Sequence, residues 1–151
     1  DRELGKQSAM TLETKQRLFL GLAAAGLTPI ALSYGLRPDL TLPWLFGVDA
    51  AGINTRHIFR AVMGLYLALA VFWCFGALRP NLRLPALWSL VIFMLGLALG
   101  RALSLAVDGM PHPLLTIYML LEVGFAAIGA LLIRQSGALS GAAPANPSPP
   151  R

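Results

Sequence analysis

Arg101, Ser104 and Asp108 stand three and four residues apart in GLALGRALSLAVDG (96–109), a segment otherwise apolar enough to cross a membrane. That spacing puts the three side chains on one helical face. Glu122, with Tyr118 four residues before it, repeats the pattern in the following apolar run, and Arg60 lies near the start of the preceding one, on a stripe shared with Gly64. An ionised side chain at the centre of a bilayer costs about 2.5 to 3.5 kcal/mol on insertion scales. These groups are therefore expected to turn inward and pair, with Arg60 and Arg101 flanking Glu122 and with Asp108, Ser104, Tyr66 and Tyr118 as the hydrogen-bonding surroundings.

Three uses of such a cluster stay open. It can be an ion pair that fixes helix register, since breaking a buried pair costs about 3 to 5 kcal/mol with no ligand involved. It can be a ligand-binding pocket for a lipid, a quinone-like molecule or a small anionic or amphipathic ligand, because guanidiniums hold anions through paired N–H donors. It can move a proton or ion through Glu122, which would require a polar path across the other half of the membrane, where few polar residues occur. An intramembrane acid/base enzyme would need the Glu122 carboxyl separated from its arginines, which otherwise oppose a raised pKa. No GxSxG, HExxH or phosphate-cradling glycine loop occurs. No catalytic residue and no cofactor are assigned. His57, Asp49, His112 and Asp108 fall near one rim, but their spacings match no metal-ligand motif, so a solvated rim is expected and no metal is assigned.

The elements that must position these residues follow from hydropathy. The 151-residue chain is 56% hydrophobic and 13% charged, against about 25% charged in soluble domains. Four apolar runs, Leu18 to Leu36, Ile58 to Leu78, Leu84 to Val107 and Leu114 to Ile133, each approach the roughly 20 residues that cross a bilayer core. The expected fold is an all-α membrane protein, a four-transmembrane-helix bundle over 17–134, with a polar N-terminal segment at 1–16 and a Pro-rich tail at 135–151. Met10 fits either a natural start or an internal methionine, and the first run, one of four alike, is expected to be a retained span and not a removed signal peptide.

The net charge is +5, but the basic residues flank spans and form no nucleic-acid patch. Arg2, Lys6, Lys15 and Arg17, then Arg79 and Arg83, then Arg134 and Arg151 fall on one side, against Arg37 and Arg56 on the other. The positive-inside rule then puts both termini in the cytoplasm and the loops Arg37 to Arg56 and Asp108 to Pro113 in the periplasm, or outside the cell if there is only one membrane. Arg83, assigned to the cytoplasmic loop, is expected to tolerate alanine where Arg101 is not.

Local signals complete the picture. Gly21, Ala25 and Gly26 in the first run, and Gly96 with Gly100 in the third, suit close helix packing, and Pro29 is tolerable inside a span. The short ALRPNLRLP connection predicts a hairpin, with Pro85 in the first turn of the next helix, and DGMPHP a tight turn. Asn54 or Thr55 is expected to cap the second span. The apolar periplasmic loop between the first two spans, Arg37 to Arg56, contains Leu40, Leu42, Trp44, Leu45, Phe46 and Val48; it should lie on the membrane surface with Trp44 as anchor, or fold over the helix ends as a lid. Cys74 lacks a partner for a disulfide or metal site and is expected to be a buried small hydrophobe. The small, Pro-rich tail is expected to lack structure unless a partner holds it.

The segments RAVMGLYLALAVFW (60–73), FMLGLALGRALSLAVDGMP (93–111) and YMLLE (118–122) resemble a family of small bacterial four-helix integral membrane proteins catalogued as a domain of unknown function. The resemblance covers about Leu18 to Ile133. It implies a four-span membrane protein, emphasises Arg60, Gly64, Tyr66, Gly100, Arg101, Ser104, Asp108, Gly109, Pro111 and Glu122, and brings no activity with it. The leading function is a non-catalytic binder of a lipid, quinone-like or small anionic ligand; the alternatives are an accessory or structural subunit of a larger membrane protein complex and an intramembrane acid/base enzyme.

Overall fold

The computed structural model of the chain describes residues 2–141. It contains α1 (Arg2–Gly35), α2 (Pro38–Phe46), α3 (Ile53–Leu78), α4 (Pro80–Asp108) and α5 (Pro113–Gly141). Within α1, α3, α4 and α5 lie four stretches long and apolar enough to span a bilayer, Met10–Gly35, Ile53–Leu78, Pro80–Asp108 and Pro113–Leu139. Their outward faces carry Leu18, Leu22, Val71, Ile92, Leu99, Leu103 and Leu131, all exposed on the protein surface. Water would penalise such a surface by about 25 cal/mol per Å², so hydrocarbon is its natural solvent. The chain is a multi-pass, all-α membrane bundle.

The four long helices form a ring in which α1 packs on α3, α3 on α4 and α4 on α5, while α1 meets α5 more sparsely. Small residues set the tight steps. A methyl group on Gly76 would collide with the Ala86 side chain, and one on Gly129 would come within 2.7 Å of Val91 Cγ2, so α3 and α5 both approach α4 closely. Trp73, fully buried, donates its indole N–H to Ser89 Oγ at 3.0 Å, which satisfies the one polar group that an indole carries into a core. Gly21, Gly26, Gly96 and Gly100, expected at helix contacts, have nothing within 4 Å of the position a Cβ would take. Gly35 takes the close approach instead, 3.1 Å from the Arg60 Cα by the same measure.

The end of the bundle where α1 begins and α5 ends is tied by polar contacts invisible to hydropathy. Gln16 donates to Ser136 Oγ at 2.7 Å and to Leu132 O at 3.3 Å, linking α1 to α5. Arg83 pairs with Glu13 at 3.2 Å with its own side chain only 7% exposed. This corrects the loop assignment of Arg83: α4 starts at Pro80, which takes the N-terminal position suited to its fixed φ and missing N–H, and Arg83 is carried one turn into the helix and under α1. For the same reason Pro85 lies inside α4 and not in its first turn. Cys74 is exposed on the outer face of α3, contrary to expectation.

At the opposite end the apolar loop is largely a helix. Pro38 starts α2, and Gly47 ends it in the left-handed conformation at φ 68°, its amide donating to Pro43 O at 3.0 Å, the usual role of a C-terminal glycine. Leu42 is fully buried and Phe46 packs on the core, whereas Trp44 is 82% exposed. One face of α2 thus roofs the bundle. The start of α3 is Gly52, with no side-chain cap, so neither Asn54 nor Thr55 serves that role. At the ends, α1 runs unbroken through the polar N-terminal stretch and α5 continues to Gly141; the remainder of the Pro-rich tail lies outside the described residues.

Candidate functional site

Arg101 is delivered by α4 and Glu122 by α5, on facing sides of an antiparallel pair. The Arg101 Nε–H group lies 2.9 Å from Glu122 Oε1 and 3.0 Å from Oε2, and the two side chains are 22% and 9% exposed. Both hydrogen bonds start from Nε, which leaves the Nη donors able to serve another acceptor. The Arg101 guanidinium also lies 5.9 Å from the Tyr118 ring centroid and interacts with the Tyr34 hydroxyl. Tyr118 precedes Glu122 by one helical turn, as its spacing implied.

The pair forms one wall of a cavity of about 140 Å³. Ala23, Gly26, Leu27, Ile30 and Tyr34 of α1, Tyr66 of α3, Met94 and Leu97 of α4, and Leu121 and Phe125 of α5 make the rest. Aromatic rings brace it: Tyr34 meets Phe59 and Tyr66 edge-on at 5.8 and 5.7 Å and Phe46 at a tilt at 5.7 Å, and Tyr66 meets Phe93 edge-on at 5.2 Å. Each such pair is worth about 0.5 to 1.5 kcal/mol beyond burial, so the ring positions are firmly held. Tyr34 and Tyr66 are each 6% exposed. Among the described residues the Tyr66 hydroxyl has no hydrogen-bond partner, although its side chain lines the cavity.

The expected cluster is thus divided. Arg101, Glu122, Tyr66 and Tyr118 come together. Ser104 donates to Asp108 Oδ2 at 2.7 Å, and this exposed couple lies toward the α4–α5 turn, outside the cavity. Arg60 does not flank Glu122: its Nε–H reaches the Gly35 carbonyl at 3.4 Å, and the residue is exposed. The close approach of α1 at Gly35 draws Arg60 toward that helix end. Tyr34 is the residue that reading the charges missed; its signal was a phenol on the same helical face as Leu27, Ile30 and Ala31. The rim groups are engaged locally, Asp49 accepting from Ala51 N at 2.9 Å and His112 Nδ1 from Leu114 N at 3.3 Å. Among the described residues no three His, Cys, Asp or Glu side chains converge as a metal site.

Residues 15–133 match the family model described as Domain of unknown function (DUF4345). The chain belongs to that family. The match takes in most of each of the four membrane helices and every residue of the cavity wall, and leaves out residues 1–14 and the Pro-rich tail. No curated protein and no solved structure matches the chain.

What this DUF4345 site can do chemically is limited by the pairing. An anion entering the cavity would have to compete with Glu122 for Arg101. An uncharged group with hydrogen-bond acceptors meets no such competition. It would find the Tyr66 hydroxyl, the Nη groups of Arg101 and an apolar floor.

Proposed function

We propose that this protein is a non-catalytic membrane binder of an uncharged amphipathic molecule, held by a head about the size of one ring that carries a hydrogen-bond acceptor. A single observation carries the proposal: the Tyr66 hydroxyl, on a side chain only 6% exposed, has no protein hydrogen-bond partner and opens onto the same small cavity as a neutralised ion pair. A ligand's acceptor would gain about 0.5 to 1.5 kcal/mol from that hydroxyl. An apolar cavity of about 150 Å³ admits one benzene ring, so the volume here suits a ring and not a whole lipid. Of the ligands considered from sequence, the quinone-like class fits this description and the anionic class does not.

The test uses 4'-dodecylacetophenone, an uncharged phenyl ketone whose carbonyl accepts hydrogen bonds and, having no γ-hydrogen of its own to abstract, cross-links to nearby C–H bonds on illumination. Full-length protein in nanodiscs should be labelled at Leu27, Met94 or Phe125, and Ala23→Leu, which fills the cavity, should lower that labelling about tenfold, equivalent to 1.4 kcal/mol. Labelling confined to outward residues in the wild type would overturn the proposal.

A second reading, an accessory subunit of a larger complex, is supported by the open Gly96 and Gly100 face of α4, which packs on nothing within the chain. Leucine at Gly96 should then release a co-purifying partner without loss of stability. We place the protein in a bacterial inner membrane with both ends cytoplasmic. Lys15, Arg17, Arg79 and Arg134 at the end holding the termini, against Arg37 and Arg56 at the other, support that orientation, and a reporter fluorescent only in the cytoplasm, fused after Arg151, tests it.

A further inference from the structure

The wall of the cavity is complete except on one side. The seam between α1 and α5 is closed toward the termini by the Phe19–Phe125 stack, with centroids 5.4 Å apart, and beyond it by Gln16 on Leu132 and Ser136. At the other end Phe46 of α2 reaches Tyr118 of α5, with centroids 6.2 Å apart. Between these two closures the helices part. Gly26 of α1 has no atom within 4 Å of the position a Cβ would take, and Leu121 of α5 is 51% exposed, yet both line the cavity.

We infer that this gap is a lateral portal through which the ligand enters from the bilayer, leaving an apolar tail among the lipid chains while its head occupies the cavity. The inference rests on the binding function proposed above and narrows the ligand to a membrane-dissolved, single-tailed molecule. Three features support it. The gap lies inside the span Met10–Gly35, at the level of acyl chains. Its rim is apolar, made by Gly26, Ile30, Leu121 and Phe125, so a hydrocarbon chain crosses it without desolvating a polar group. The roof made by α2 closes the route from the helix ends, because Leu42 is fully buried and Phe46 sits between Tyr34 and Tyr118. The missing side chain at position 26 is what leaves room for a tail.

The experiment compares 4'-dodecylacetophenone with acetophenone, the same head without the tail, on wild type, Gly26→Leu and Gly96→Leu in nanodiscs. Both substitutions fall at open helix positions, so both variants should fold, leucine being the better helix former. Gly26→Leu should lower labelling of cavity residues by 4'-dodecylacetophenone about tenfold while acetophenone labelling stays within about twofold, and Gly96→Leu should change neither. Unchanged 4'-dodecylacetophenone labelling in Gly26→Leu would overturn the portal and leave the binding site standing. Equal loss of both probes would also overturn it, since the ring pocket itself would then have been filled. If neither probe labels the cavity of the wild type, the binding function fails and the portal with it.

Discussion

Arg101 and Glu122 meet across the α4–α5 interface with one guanidinium N–H shared between both carboxylate oxygens, at 2.9 and 3.0 Å. Neither charge touches the second arginine that the sequence placed at the same depth. The pair is therefore self-contained, and removal of either member leaves an uncompensated charge in a low-dielectric interior. Arg101→Leu and Glu122→Leu should each lower stability by about 3 kcal/mol, whereas the double variant should recover most of that loss. Unfolding in mixed micelles checks this, and additive losses would mean that the two side chains act independently.

Arg83 behaves differently because its partner Glu13 is 57% exposed and its own Nε is buried without a hydrogen bond. Much of its contribution is the packing of its aliphatic stem beneath α1. Arg83→Met keeps that volume and removes the unsatisfied donor, so it should lie within about 1 kcal/mol of wild type. Arg83→Ala should cost about 2 kcal/mol or more through the space it leaves. Thermal melts of the two variants decide this, and equal melting temperatures would contradict the packing account.

Glycines sort by what surrounds them. Gly76→Leu forces a side chain into Ala86 and should lower stability by about 1 to 3 kcal/mol, with loss of the α3–α4 hairpin contact as the cause. Gly100→Leu, on an open face, should leave the melting temperature unchanged or raise it slightly. Parallel melts of both variants in one detergent check the contrast, and similar losses at both positions would contradict the packing order of the ring.

The four spans, their antiparallel order and the pairing of Arg101 with Glu122 were legible because hydropathy, span length and helical phase act within single elements. The division of the polar cluster was not. Depth along the membrane is readable from residue counts, but rotation about each helix axis and the distance between axes depend on close approaches such as Gly35 on α3 or Gly76 on α4. Those approaches turned Arg60 toward Gly35 and left Gly96 and Gly100 outside, although GxxxG is the stronger motif on paper. The buried Arg83 was hidden by a helix boundary: the hydropathy run starts at Leu84, yet the backbone is helical from Pro80. Within the loop after the first span, apolar content signalled burial correctly for Leu42 and Phe46, and Pro38 and Gly47 were the overlooked marks of a helix between them.

The Tyr66 hydroxyl offers the most direct measurement. Tyr66→Phe removes one oxygen that no protein group uses and leaves the ring in place against Tyr34 and Phe93. Cavity labelling by 4'-dodecylacetophenone in nanodiscs should fall about three- to tenfold, the worth of one hydrogen bond, while the melting temperature of the unliganded protein stays the same or rises. Unchanged labelling, or a loss of stability with labelling intact, would contradict a ligand-binding role for the cavity and reduce its tyrosines to packing.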